Sequence, residues 1–174
     1  MKVAQKTVLK IVALLAVATC GTAAHAQTPY ILGTWKFNAE ASQFSGPRPQ
    51  THIRSYRLRE DGVLIGVALS VGSDGTPQFL QFAAKPDGKD YPEFETQTAA
   101  QYLVDRTPPP RTYSESPTAD DHRIKWVDKM GGHILVSGER WVSKDGKTMS
   151  FTVNSPDKDG KAIQQLFVFD RAGN

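Results

Sequence analysis

The sequence predicts an all-β chain, an antiparallel up-and-down β-barrel of eight to nine strands. Three observations predict it. Apolar and polar residues alternate with a period of two over most of the chain beyond residue 30, and that period places alternate side chains on opposite faces of a strand. Five Asp-Gly pairs, at Asp61, Asp74, Asp87, Asp145 and Asp159, interrupt the alternation, and Asp-Gly between such runs signals a tight hairpin. Almost no stretch carries a helical period. Consecutive hairpins favour a barrel over a sandwich, which needs longer crossovers, and closing the ring removes free edges. The irregular turn spacing argues against a solenoid or propeller.

Taken in order, residues 31–37 form the first predicted strand, with Trp35 and Phe37 on one face. Asn38 can cap a single helical turn that tucks Phe44 under the sheet. Residues 51–60 are extended but carry His52, Arg54, Arg57 and Arg59 on both faces, which suits an edge or a rim. In the strand 63–71, Val63, Ile65, Val67, Leu69 and Val71 alternate with Leu64, Gly66, Ala68 and Ser70. Residues 78–85 put Leu80, Phe82 and Ala84 on a common face, and residues 86–92 read as a turn. Glu93 and Glu95 share a face if extended, either as paired carboxylates or as a charged rim around Phe94. A short strand is expected at 101–106. The stretch 108–121, opening at Pro108 and closing at Asp121, reads as an irregular loop, because three successive prolines fix φ and remove donors. Loops of that length in compact domains often carry function. The last four strands, within 122–171, form a meander. Its faces are Ile124 with Trp126, Ile134 with Val136 and Val142, Met149 with Phe151 and Val153, and Ile163 with Phe167 and Phe169.

Residues 1–26 read as a signal peptide, with Lys2, Lys6 and Lys10 around an apolar run and Ala24-His25-Ala26 as the cleavage site. The apolar run is about half the ~20 residues that span a bilayer, so no membrane span is expected after cleavage. Cys20 offers a lipoprotein alternative, but Thr19 before it fits a lipobox less well than Ala-x-Ala fits ordinary cleavage. The expected location is periplasmic or secreted, with residues 27–174 as a single domain. Of 21 Lys and Arg, three lie in the leader, so 18 basic residues face 18 acidic ones in the remainder. That balance excludes a basic footprint for nucleic acid. The only cysteine is Cys20, so the mature core has no disulfide to lean on.

Gly33-Thr34-Trp35 at the head of the first strand, with Arg171 at the end of the last, resembles the lipocalin and wider calycin pattern. The run GTWKFNAEASQF from Gly33 to Phe44, with PDGKDYP and VSKDGKT, is similar to small secreted bacterial lipocalin-like proteins, a mostly uncharacterised group. The resemblance implies that Trp35 packs at a closed barrel end with the Arg171 guanidinium across its indole. Such a contact gains on the order of 0.5–2 kcal/mol and is structural. It also implies a small barrel that can hold an apolar ligand.

The chemistry follows by elimination. His52, His122 and His133 lack metal-ligand spacing, and Asp120-Asp121-His122 reads as a solvated loop end, so no metal is expected. No cofactor loop and no Gly-x-Ser-x-Gly nucleophile occurs, so no catalytic residue is assigned. The barrel interior remains. Val67, Leu69, Leu80, Phe82, Phe151 and Phe167 alternate correctly to line a cavity, or to meet and fill it. Polar residues on apolar faces are Gln165, Asp128 and Arg140. A buried Arg140 needs a partner, either Asp128 across the hairpin or the head group of a bound acid. The leading expectation is a secreted binding protein for a small apolar or amphipathic ligand. The alternatives are a filled-core envelope protein with a protein partner on the loop 108–121, and a small barrel enzyme for a lipid-like substrate. On the enzyme reading, Arg140, Asp128 and His133 are the groups to test.

Overall fold

The computed structural model describes residues 29–96, 100, 109–156 and 159–173. Its strands are β1 (Gly33–Phe37), β2 (Thr51–Leu58), β3 (Leu64–Val71), β4 (Pro77–Ala84), β5 (Tyr91–Glu95), β6 (Arg111–Pro117), β7 (Arg123–Met130), β8 (His133–Val142), β9 (Thr148–Pro156) and β10 (Ala162–Arg171). Each pairs antiparallel with the next, and β10 closes on β1, giving a barrel of ten strands rather than eight to nine. Two strands account for the difference. β5 occupies what reads as turn and rim, and β6 occupies the middle half of the expected loop 108–121, whose prolines Pro109 and Pro110 precede the strand. β5 turns Glu93 and Glu95 inward and β6 turns Arg111, Tyr113 and Glu115 inward, so apolar alternation could not reveal them. The strand expected at 101–106 and the leader at 1–26 with Cys20 lie outside the described residues.

β2 is not an edge: it pairs with β1 on one side and β3 on the other, and His52, Arg54 and Tyr56 point inward. Asn38 caps a turn and not a helix, accepting from the Ala41 amide at 3.0 Å. Phe44 then lies 5.7 Å from Phe37 and stacks on Phe167 at 5.6 Å, centroid to centroid.

The core gathers at one end of the barrel. Trp35, Tyr56, Leu64, Met149 and Phe169 are fully buried there, each side chain contributing about 1.5–3 kcal/mol of apolar burial. Opposite Tyr56 and Phe82 stands Gly66, and a Cβ on it would sit 2.3 Å from Phe82 Cζ. The small residues of β3 therefore face inward because large rings need the space.

Arg171 closes this end. Its guanidinium lies 4.1 Å from the Trp35 ring centroid and donates to the carbonyls of Leu32, Tyr30 and Gly146 at 2.6, 2.5 and 2.6 Å. Trp35 Nε1 donates to the Ile31 carbonyl at 2.8 Å. Gly33, at φ 115°, leaves room for that guanidinium, since a Cβ there would meet Arg171 Nη1 at 2.9 Å. Among the described residues no helix is long and apolar enough to cross a membrane.

Candidate interior site

Past the aromatic end the interior changes character. β5, β6, β7 and β8 alternate as the other strands do, but their inward residues include Glu93 and Glu95, Arg111, Tyr113 and Glu115, Asp128, and Arg140. Arg111 Nε donates to Glu93 Oε2 at 2.6 Å and Arg111 Nη2 to Asp128 Oδ2 at 2.7 Å, while Glu95 Oε2 lies 3.7 Å from Nη1. The second oxygen of Asp128, Oδ1, is buried without a donor. Burial and the neighbouring Asp128 push Glu93 up to about 9, against the pull of Arg111. Glu93 is thus held protonated at neutral pH, and its proton can fill the need at Asp128.

A second cluster lies on the next layer. Arg140 Nη2 donates to Glu115 Oε1 at 2.8 Å, and the Tyr113 hydroxyl donates to the same oxygen at 2.6 Å. Glu115 is 0% exposed and Arg140 4%. Burial pulls the Arg140 guanidinium down, but Glu115, Tyr113 and Tyr56 outweigh it and hold it well above its ordinary value. The partner of Arg140 is therefore Glu115 on β6, not Asp128, because Asp128 is already committed to Arg111.

Arg54 is the third inward guanidinium. It lies 4.4 Å from the Phe151 centroid and donates from Nη1 to the Tyr56 hydroxyl at 3.2 Å. Its Nε is buried and unpartnered. Burial, then the charge of Arg54, push His52 down to about 3, so that imidazole is neutral.

These side chains surround a cavity of about 210 Å³ whose apolar wall is Leu80, Phe82, Trp126, Val136, Phe151 and Val153 and whose polar wall is Arg54, Glu93, Arg111, Tyr113, Asp128 and Arg140. A second space of about 270 Å³ adjoins it through Arg54, Leu80 and Arg111, and adds His52, Ser70, Gln78 and Glu95.

Of the cavity residues expected from sequence, Leu80, Phe82, Arg140 and Phe151 line this space together. Phe167 is part of an aromatic stack, 5.2 Å from Phe151 and 5.6 Å from Phe44, and does not line it. Val67 and Leu69 face outward, Leu69 being 51% exposed, because β3 turns Leu64, Gly66 and Ala68 to the interior. His133 is exposed at the start of β8. Asp120 and Asp121 sit in the β6–β7 turn, where the His122 ring stacks on Tyr30 at 3.9 Å. Sequence reasoning missed Arg54, Arg111, Tyr113 and Glu115. The signal that finds them is period-two spacing of charged and phenolic residues: His52-x-Arg54-x-Tyr56, Glu93-x-Glu95 and Arg111-x-Tyr113-x-Glu115. Compared with protein-family models and with curated proteins, the chain matches none.

Proposed function

We propose that this chain is a binding protein that takes a small amphipathic molecule into the barrel interior. One observation carries the reading: a partly open space of about 210 Å³ with an apolar wall on one side and three convergent guanidinium groups on the other. Ligand sites are typically concave, mostly apolar and marked by a few placed polar groups. The closed antiparallel barrel is compatible with the lipocalin-like resemblance of Gly33, Trp35 and Arg171. The leader read in residues 1–26 would place the protein in the periplasm or outside the cell. A second reading, catalysis, is favoured by the Glu93–Asp128 pair, which sets a protonated carboxyl beside a second carboxyl on one guanidinium.

Native mass spectrometry of protein purified without detergent, followed by organic extraction, tests the binding reading. The expected result is a co-purifying small molecule that is lost on denaturation. Trp126 lines the cavity, so a ligand entering it should change tryptophan emission, and Trp126→Phe should remove most of that change. Uniformly apo protein that also shows no emission response to amphipathic probes would overturn the reading in favour of a filled barrel acting through surface contacts.

A further inference from the structure

We propose that the occupant is a monocarboxylic acid with a compact apolar body, one aryl ring and a short chain, and that Arg54 receives its carboxylate. This rests on the reading that the interior binds a small molecule, and narrows it to a ligand class.

Three arginines share one interior and differ in their partners. Arg111 is engaged by Glu93 and Asp128, and Arg140 by Glu115. Arg54 has no carboxylate within ion-pair distance among the described residues; it has the Tyr56 hydroxyl, the faces of Phe151 and Phe169, and a buried Nε with nothing to donate to. A guanidinium stays charged at any physiological pH, and an aromatic face offsets only part of the cost of holding it away from water. A planar carboxylate is the group whose two oxygens match its fork of donors.

Position supplies the rest of the ligand. Arg54 stands on the wall shared by the two adjoining spaces, so an acid bound there directs its body toward Leu80, Phe82, Trp126 and Phe151. About 210 Å³ exceeds the ~150 Å³ cavity that accommodates one benzene, leaving room for a short chain. The charge of the ligand is limited as well. Glu95 and Asp128 lie on the two spaces, and one uncommitted guanidinium matches one negative charge, so a phosphate dianion fits poorly. His52 beside Arg54 is neutral and adds a hydrogen-bonding group without a second charge.

The test uses 3-phenylpropanoate and its neutral counterpart 3-phenylpropan-1-ol, titrated into the purified protein by calorimetry and tryptophan emission. In the wild type the acid should bind at least roughly tenfold more tightly than the alcohol, as a charge-assisted fork requires. Arg54→Met keeps an unbranched side chain and removes the charge. It should weaken the acid by roughly tenfold or more and leave the alcohol within about threefold. Equal binding of acid and alcohol by the wild type overturns the carboxylate assignment and leaves the binding function standing, and this comparison does not depend on the variant folding. Acid affinity unchanged in a folded Arg54→Met protein overturns the role of Arg54. If neither compound binds the wild type, this assignment fails, while a co-purifying ligand of another class would keep the broader reading.

Discussion

On β8, Val142 and Arg140 face inward two residues apart, and on β2 so do Tyr56 and Arg54. In each pair the first residue belongs to the packed aromatic end and the second to the charged chamber. The backbone pattern is the same, yet the energetics differ. Burying Phe169 or Met149 stabilises the barrel outright, whereas a buried ion pair such as Arg140–Glu115 roughly breaks even against apolar residues of the same volume. The chamber therefore holds charges that stability alone does not require. A barrel that concentrates its stabilising contacts at one end can keep a polar interior at the other, as expected where a site is maintained at some expense to packing.

The sharpest way to break this contrast is to remove one partner at each end. Glu115→Ala leaves Arg140 buried without its carboxylate and should cost about 3–5 kcal/mol in urea denaturation. Phe169→Ala should cost about the same through lost burial and a cavity. The two then separate on repair. Glu115→Met with Arg140→Leu should restore or exceed wild-type stability, because both charges leave together. If the double replacement stays as unstable as Glu115→Ala, the chamber charges support the fold after all. Next in size, Arg171→Ala strips the clamp on Trp35 and should cost about 2 kcal/mol by the same measurement.

The remaining effect is a slope, read per pH unit. Glu93 ionises near 9 in the fold against 4.5 ordinarily, so the folded state holds a proton that the unfolded chain releases between those values. Its contribution to stability is complete below the lower value and is lost as pH rises toward 9. Wild type should therefore lose up to about 1.4 kcal/mol per pH unit relative to Glu93→Gln across this window. Parallel pH profiles for the two proteins would place the Glu93 proton elsewhere.

The packed end was readable from sequence and the chamber was not, for one reason. Inference from period two assigns the inward face to whichever set is apolar. That works for Trp35, Phe82, Met149 and Phe169, where the core is apolar. It fails on β3, where the larger set holding Val67 and Leu69 faces out and Gly66 and Ala68 face in to make room for Phe82 and Tyr56. It fails again on β5 and β6, where the inward set is charged and Phe94 is 54% exposed on the outside. Arg140 stands out in the sequence because it interrupts an apolar face. Arg54 does not, because arginines occur on both faces of its strand. Only the pairing of β2 on both sides turns one of those faces inward.

The seam between β1 and β10 makes the strand order a ring. The Ala172 amide reaches the Thr34 carbonyl at 2.8 Å, and Arg171 reaches the Tyr30 carbonyl at 2.5 Å. A chain rejoined across that gap and reopened at the exposed Asp74-Gly75 turn would keep every strand beside its present neighbours. In such a circular permutant the seam becomes a local hairpin and the β3–β4 pair becomes the long-range closure. The present order delays Arg171 until a loop of well over a hundred residues has closed, with |i−j| of 139 to Leu32. Refolding of the permutant should thus bury Trp35 early, where the natural order buries it late.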